Sequence, residues 1–236
     1  EAVVQIRGDA LYFFYREACL AGGKKLTLTR NRSAAEGLTG LRFQKNGNLY
    51  PGDLTLKISN GQLQPILALS VEDYLLGVVP YEMSDTFPIE ALKAQAVCAR
   101  TYAISHLSSS SAWDLVDTTN DQVFRGIDPA MVNSARAVAE TAGVICTWKG
   151  KPAMCYFAAS NGGQTARLSH AWPGTEDIGC YVVKDDPYDR ENPQSLTRTL
   201  NISKSGDNLY ASLRTALLEH CLREDLNETA DRVMAV

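Results

Sequence analysis

Through the first seventy positions, apolar residues fall in short runs broken by turn-forming pairs. Ala2 to Ile6 and Ala10 to Tyr15 flank Gly8-Asp9, and Lys25 to Thr29 alternates. Leu41 to Gln44, Leu49 to Tyr50, Leu54 to Ile58 and Leu63 to Leu69 follow. Asn46-Gly47 and Asn60-Gly61 are hairpin dipeptides, since both residue types enter the left-handed backbone region that tight turns require. The pattern predicts an antiparallel sheet or small sandwich over 1–69. At Ser70 the period changes. Ser70 with Asp73 three residues on is a capping-box spacing, so a helix is expected from Val71, ended by Gly77 and Pro80. Pro88 suits a helix first turn. Beyond it, Ile89, Leu92, Ala96, Ala99, Ala103 and Leu107 recur at helical spacing. A buried face made mostly of alanine lets a neighbour approach closely, which puts this helix at the centre.

The remaining pattern is less regular. Ser108 to Ser111 is a polar loop. A helix is predicted from Asp128 or Pro129 to about Thr141, stopped by Gly143. Val144 to Trp148 and Ala153 to Ala158 read as a hairpin around Lys149-Gly150-Lys151-Pro152. Tyr181 to Val183 and Ser195 to Ser203 read as strands, and Leu209 to Arg223 as a helix with His220 at its end. The fold class is therefore α+β: a β-rich lead-in (1–69) and a mixed core (70–236), as two units or one integrated domain.

Composition narrows the function classes. The chain has 236 residues, 45% of them hydrophobic, and a net charge of −4 with no Lys/Arg cluster, so no nucleic-acid partner is expected. No run of eighteen apolar residues suggests a membrane span. The chain begins at Glu1, so a signal or anchor upstream is left open. Six cysteines lack the Cys-x-x-Cys and His spacings of zinc sites. Cys98 falls on the central helix. If Gly150-Lys151 form the hairpin turn, Cys146 and Cys155 face each other, although facing thiols need not meet disulfide geometry. The run Asp185-Asp186-Pro187-Tyr188-Asp189 reads as a solvated acidic turn rather than a calcium loop.

One acid stands out. Glu82 is the only carboxylate between Val78 and Ser84, on the connection between the two predicted helices. Partial desolvation by Tyr81, Met83 and Phe87 would favour the protonated form that a general acid needs. From spacing alone, a solvated loop residue or a helix cap is the favoured explanation of Glu82.

The block Glu72-Asp73-Tyr74-Leu75-Leu76-Gly77-Val78-Val79-Pro80-Tyr81-Glu82-Met83 and the following Glu90-Ala91-Leu92-Lys93-Ala94-Gln95-Ala96-Val97-Cys98-Ala99-Arg100-Thr101-Tyr102-Ala103 resemble the SpoIID/LytB family, named after stage II sporulation protein D. Asp117 to Gly126 and Tyr156 to Thr165 resemble later family blocks, in the same order. The resemblance implies a peptidoglycan lytic transglycosylase working in cell division or sporulation. It implies Glu82 as catalytic acid/base, and substrate contacts from Lys93, Arg100, Gln122, Tyr156, Ser160, Gly162 and Gly163. Lys93 and Arg100, seven apart, share a helical face. Either they orient the site and meet a lactyl carboxylate, or they are solvated or ion-paired with Glu90 and others. Gln122 either bonds a sugar or satisfies backbone groups. Gly162-Gly163 permit positive φ and close backbone approach to a saccharide.

Two departures from the pattern are Phe157, where many members have histidine, and Asn161 in place of serine. Val116, Asn120 and Asp121 stand where some members carry His/Cys zinc ligands, so no metal and no cofactor are expected. The implied partners are glycan strands and a cell-wall amidase that removes stem peptides, and the implied location is extracytoplasmic. A non-catalytic glycan-binding module or amidase activator is the rival reading. The aromatic run Tyr12-Phe13-Phe14-Tyr15 fits buried strand positions better than a glycan surface.

Overall fold

The computed structural model describes residues 2–30, 39–44 and 47–191. The lead-in is antiparallel throughout. β1 (Ala2–Arg7), β2 (Ala10–Tyr15) and β3 (Ala18–Gly23) form one three-stranded sheet. β4 (Lys25–Leu28), β7 (Asp53–Ser59) and β8 (Gln62–Ala68) form a second, and β5 (Gly40–Arg42) pairs with β6 (Leu49–Pro51). Leu11, Leu54 and Leu56 are buried between these strands, with Leu26, Leu28, Leu41 and Ile58 packed around them. β3 escaped the pattern reading because Ala18-Cys19-Leu20-Ala21-Gly22-Gly23 has neither alternation nor β-branched residues. The predicted strand over Ser195–Ser203, the helix over Leu209–Arg223 and Asn46 lie outside the described residues.

The core begins at Ser70. Its Oγ accepts from the Asp73 N–H at 3.1 Å and starts α1 (Val71–Leu76), which Gly77 closes. Pro80 does not end this helix. It sits in the first turn of a separate short helix, α2 (Val79–Glu82), where its missing N–H needs no acceptor. α3 (Ile89–His106) follows, with Pro88 as its N-cap. Leu75, Val78, Val79, Leu92, Ala96 and Ala99 are sealed in one cluster with Ala137 and Val138 of α4 (Val132–Glu140). Each large side chain so buried stabilises by about 1.5–3 kcal/mol, and the alanines set how closely α3 and α4 pack.

α4 starts four residues later than Asp128. Asp128 Oδ1 accepts from Ala130 N–H and closes a turn there. The Asp85 carboxylate instead meets the first N–H groups of α4, Asn133 at 3.4 Å and Ser134 at 2.6 Å. Burial opposes ionisation of Asp85, but these hydrogen bonds outweigh it and its pKa falls below the ordinary aspartate value.

The predicted hairpin shrinks to a two-residue ladder, β9 (Thr147–Trp148) on β10 (Lys151–Pro152). Its turn is Lys149-Gly150, both at positive φ, rather than Gly150-Lys151, so the register moves by two residues. α5 (Leu168–Ala171) and α6 (Pro187–Glu191) complete the described chain. Tyr181 to Val183 is not a strand; an isolated bridge joins Gln164 and Asp185 nearby.

Candidate active site

Glu82 is the last residue of α2 and is half-buried. Its Oε1 accepts from the Val123 backbone N–H at 2.7 Å. Among the described residues its carboxylate forms no ion pair, and Oε2 carries no hydrogen bond. That leaves one oxygen held by the fold and the other available.

The segment carrying Val123 is fixed on both sides. Asp121 accepts from Val116 N–H at 2.8 Å and from the Tyr102 hydroxyl at 3.1 Å. Gln122 is fully buried; its Oε1 accepts from Tyr74 OH at 3.2 Å and its Nε2 donates to Ala99 O at 3.4 Å. Arg125 N–H donates to Gly77 O, and Ile127 exchanges two backbone bonds with Leu49 of β6. Gly77 is required where it sits, since a Cβ there would collide with the Phe124 ring. Asn48 donates to both the Tyr81 hydroxyl (2.6 Å) and Arg125 O (3.1 Å), tying α2 to the same segment. Burial, then the nearby Asp121 and Glu82 carboxylates, drive the Tyr74 phenol pKa far up, so Tyr74 stays a donor and fixes which way Gln122 points. Burial and the Asp121 carboxylate push Tyr102 up to about 12.

The structure places two of the expected ligands inside the protein. Arg100 is 1% exposed and does not reach out to a substrate carboxylate. Its guanidinium makes a two-pronged pair with Glu72, 2.8 Å on each prong, and donates to the carbonyls of Val138 and Val144. Arg100 and the Gly143 N–H overcome the burial of Glu72 and hold its pKa below the ordinary value. Gln122, as described, spends both ends of its amide inside the protein. Lys93 takes the ion-paired alternative, bonded to Glu90 at 2.8 Å and Glu140 at 2.7 Å; the Glu140 and Glu90 hydrogen bonds raise its pKa.

The later block forms a second group. The exposed Tyr156 ring lies 4.4 Å from Trp172 and 6.3 Å from Tyr181, centroid to centroid, and within electrostatic range of Tyr102. Tyr181 donates its hydroxyl to Met154 O. Gly162 and Gly163 do adopt positive φ. Their loop, however, is closed on the chain itself: Ser160 Oγ (2.8 Å), Asn161 N–H (3.0 Å) and Gly163 N–H (3.2 Å) all donate to Asp189 Oδ2 on α6. Asn161 Nδ2 donates to Asp186 and Gln164 Nε2 to Asp185. The acidic run 185–189 is therefore a clasp for this loop, a role its composition did not reveal. Trp172 was also missed; nothing in its local pattern marks it.

Among the described residues no group of three or more His, Cys, Asp or Glu is placed to hold a metal ion. No described helix is long and apolar enough to cross a membrane. Two open concavities, one lined by Val3, Gln5, Phe14, Arg16 and Glu17 and one by Arg30, Asp53, Ala68, Leu69 and Ser70, do not include Glu82.

Residues 59–148 match the SpoIID family, described as stage II sporulation protein. An uncharacterized protein of Brachyspira hyodysenteriae is 40% identical over 126 residues, covering 52% of this chain and 34% of that protein. The amidase enhancer of Bacillus subtilis is 33% identical over 123 residues, covering 52% and 16%. Stage II sporulation protein D of the same organism is 30% identical over 168 residues, covering 64% and 48%. The chain thus spans between 16% and 48% of the length of these relatives. The matched family segment contains Glu82, Val123, Tyr74, Tyr102 and Gln122, leaves out Asn48 and Leu49, and stops before Tyr156.

Proposed function

From a chain that belongs to the SpoIID family through residues 59–148, we propose a peptidoglycan lytic transglycosylase in which Glu82 is the only acid/base. The observation that carries this reading is the asymmetric carboxyl of Glu82, with Oε1 on Val123 N–H and Oε2 available. Cleaving a glycosidic bond needs a proton on the leaving oxygen as an oxocarbenium-like centre develops at C1. Protonated Oε2 supplies that proton to the bond between N-acetylmuramic acid and N-acetylglucosamine. The same oxygen, now basic, accepts the proton of the muramyl C6 hydroxyl as that hydroxyl attacks C1. The product carries a 1,6-anhydro ring and no water is consumed. A second carboxylate is not needed, and the nearby Asp121 is already committed to Tyr102 and Val116.

The Tyr156, Trp172 and Tyr181 rings offer faces on which sugar rings stack. Peptide-stripped glycan is the proposed substrate, which calls for an amidase acting beforehand. The location this implies is the extracytoplasmic side of the envelope. The relatives' names support a cell-wall role. One of them, the amidase enhancer, favours a second reading as a glycan-binding activator of an amidase. The burial of Arg100 and Gln122, which removes two side chains from the substrate's reach, fits that reading too. Digestion of peptide-free glycan with the wild-type protein and Glu82→Gln separates them. Anhydro-muramyl ends from the wild type alone support the enzyme. Equal glycan binding by both proteins, with no new ends from either, supports the activator.

A further inference from the structure

Three of the cysteines meet at one place on α3. Cys98 and Thr101 are three residues apart and share a helix face. Thr101 Oγ1 accepts from the Cys146 backbone N–H at 2.9 Å, which lays the start of the hairpin across that face. The ladder Thr147–Pro152 extends by one more bond, Ala153 N–H to Cys146 O at 3.0 Å. Cys155 lies two residues beyond Ala153, past the end of β10. Its thiol turns back to Ala153 O at 3.2 Å. There it makes side-chain contacts with both Cys98 and Cys146. All three thiols are half-buried, and all three are reduced in this structure.

We propose that Cys98 and Cys155 are a disulfide-forming pair which, once oxidised, fastens the 153–156 segment and its Tyr156 to the central helix. Cys146 is the less suitable partner. Extending the register past β10, as the Ala153 to Cys146 bond does by one step, would make Cys146 and Cys155 diagonal neighbours, which in antiparallel strands are about 7–8 Å apart. Disulfides span Cα separations of up to about 6.8 Å. Cys98 belongs to another element, so no ladder fixes its spacing. The contact with Cys155 also lowers the Cys98 thiol pKa against its burial, while contact with Cys98 and burial raise that of Cys155.

The exchange is balanced with a small disulfide, such as oxidised glutathione, as electron acceptor. The Cys98 thiolate attacks one glutathione sulfur, forms a mixed disulfide and releases one glutathione thiolate. Cys155 then gives up its proton, and its sulfur attacks Cys98 Sγ and releases the second glutathione thiolate. One protein disulfide forms, two protons leave, and two glutathiones are reduced. This inference does not depend on the transglycosylase reading, because its readout is a bond rather than an activity.

The test uses the full 236-residue chain with Cys19, Cys180 and Cys221 replaced by serine, equilibrated with oxidised glutathione, alkylated, and digested without reduction. Mass spectrometry is expected to find a Cys98–Cys155 linked peptide as the dominant species, with Cys146 alkylated. Adding Cys146→Ser should keep the link. Cys98→Ser and Cys155→Ser should each abolish it, and the oxidation-dependent rise in thermal midpoint with it. A dominant Cys146–Cys155 link would overturn the proposal, as would all three thiols remaining alkylatable at equilibrium. The wild-type mapping stands even if a serine variant fails to fold.

Discussion

The frame around Glu82 and the loop around Gly162-Gly163 solve the same problem in opposite ways. Around Glu82 the polar groups are buried and paired with partners far along the chain: Tyr74 to Gln122 over 48 residues, Arg100 to Glu72 over 28. Nothing there competes with Oε2 among the described residues. Around Gly162 the donors, exposed at Ser160 and Asn161 and buried at Gly163, converge on a carboxylate of the chain's own, Asp189. Buried pairs cost much to break and hold one geometry; exposed pairs are weak and exchangeable. On the proposed reading, chemistry belongs to the rigid half and adjustable binding to the other.

The contrast can be attacked from both ends. The largest effect should come from Glu82→Gln, which keeps the hydrogen bond from Val123 but removes the proton; glycan cleavage should fall by about 10²–10⁴-fold, measured as initial rate. Next is Arg100→Met. It takes the guanidinium away from Glu72, which keeps only the Gly143 N–H, and from the Val144 carbonyl, and about 2–4 kcal/mol of stability should be lost in urea unfolding, somewhat less than for a fully buried pair because Glu72 is partly exposed. Arg100→Lys should not recover it, since an ammonium cannot reproduce the two-pronged pair. Gln122→Met should cost about 1–3 kcal/mol, chiefly from the stranded Tyr74 hydroxyl. It should also lower kcat more than it changes KM, because Val123 loses its anchor.

The smallest change expected is from Asp189→Ala. It should leave stability within about 1 kcal/mol yet release Ser160 Oγ and two N–H groups, tightening glycan binding a few-fold in titration calorimetry. Unchanged or weaker binding would mean the clasp is structural and the comparison drawn too sharply.

Acid provides a further check. Glu72 has its pKa lowered in the folded protein, so its contribution to stability is complete above the ordinary glutamate value of 4.5 and is lost as pH falls through the folded value. Stability measured from pH 6 downward should therefore decline more steeply in wild type than in Arg100→Met.

Local signals were legible in the sequence; distant pairings were not. Ser70 as a helix cap, the alanine face of α3 and the isolation of Glu82 all depend on neighbours within a few residues, and the structure has each of them. Whether Arg100 and Gln122 face a ligand or the interior depends on Glu72, Tyr74, Val138 and Val144, which sequence spacing cannot bring together. The hairpin turn shows a finer limit. Lys149-Gly150 and Gly150-Lys151 are both plausible turn pairs, and the choice between them moves Cys155 from opposite Cys146 to diagonal from it. The clasp went unread because an acidic run looks the same whether it meets water or a ring of backbone donors.

The most direct test is the mass of the products from peptide-free glycan. A single carboxyl serving as acid and then base predicts muramyl ends one water lighter than hydrolysis would give, and none from Glu82→Gln. Reducing ends carrying that water, or anhydro ends that persist in Glu82→Gln, would contradict the account.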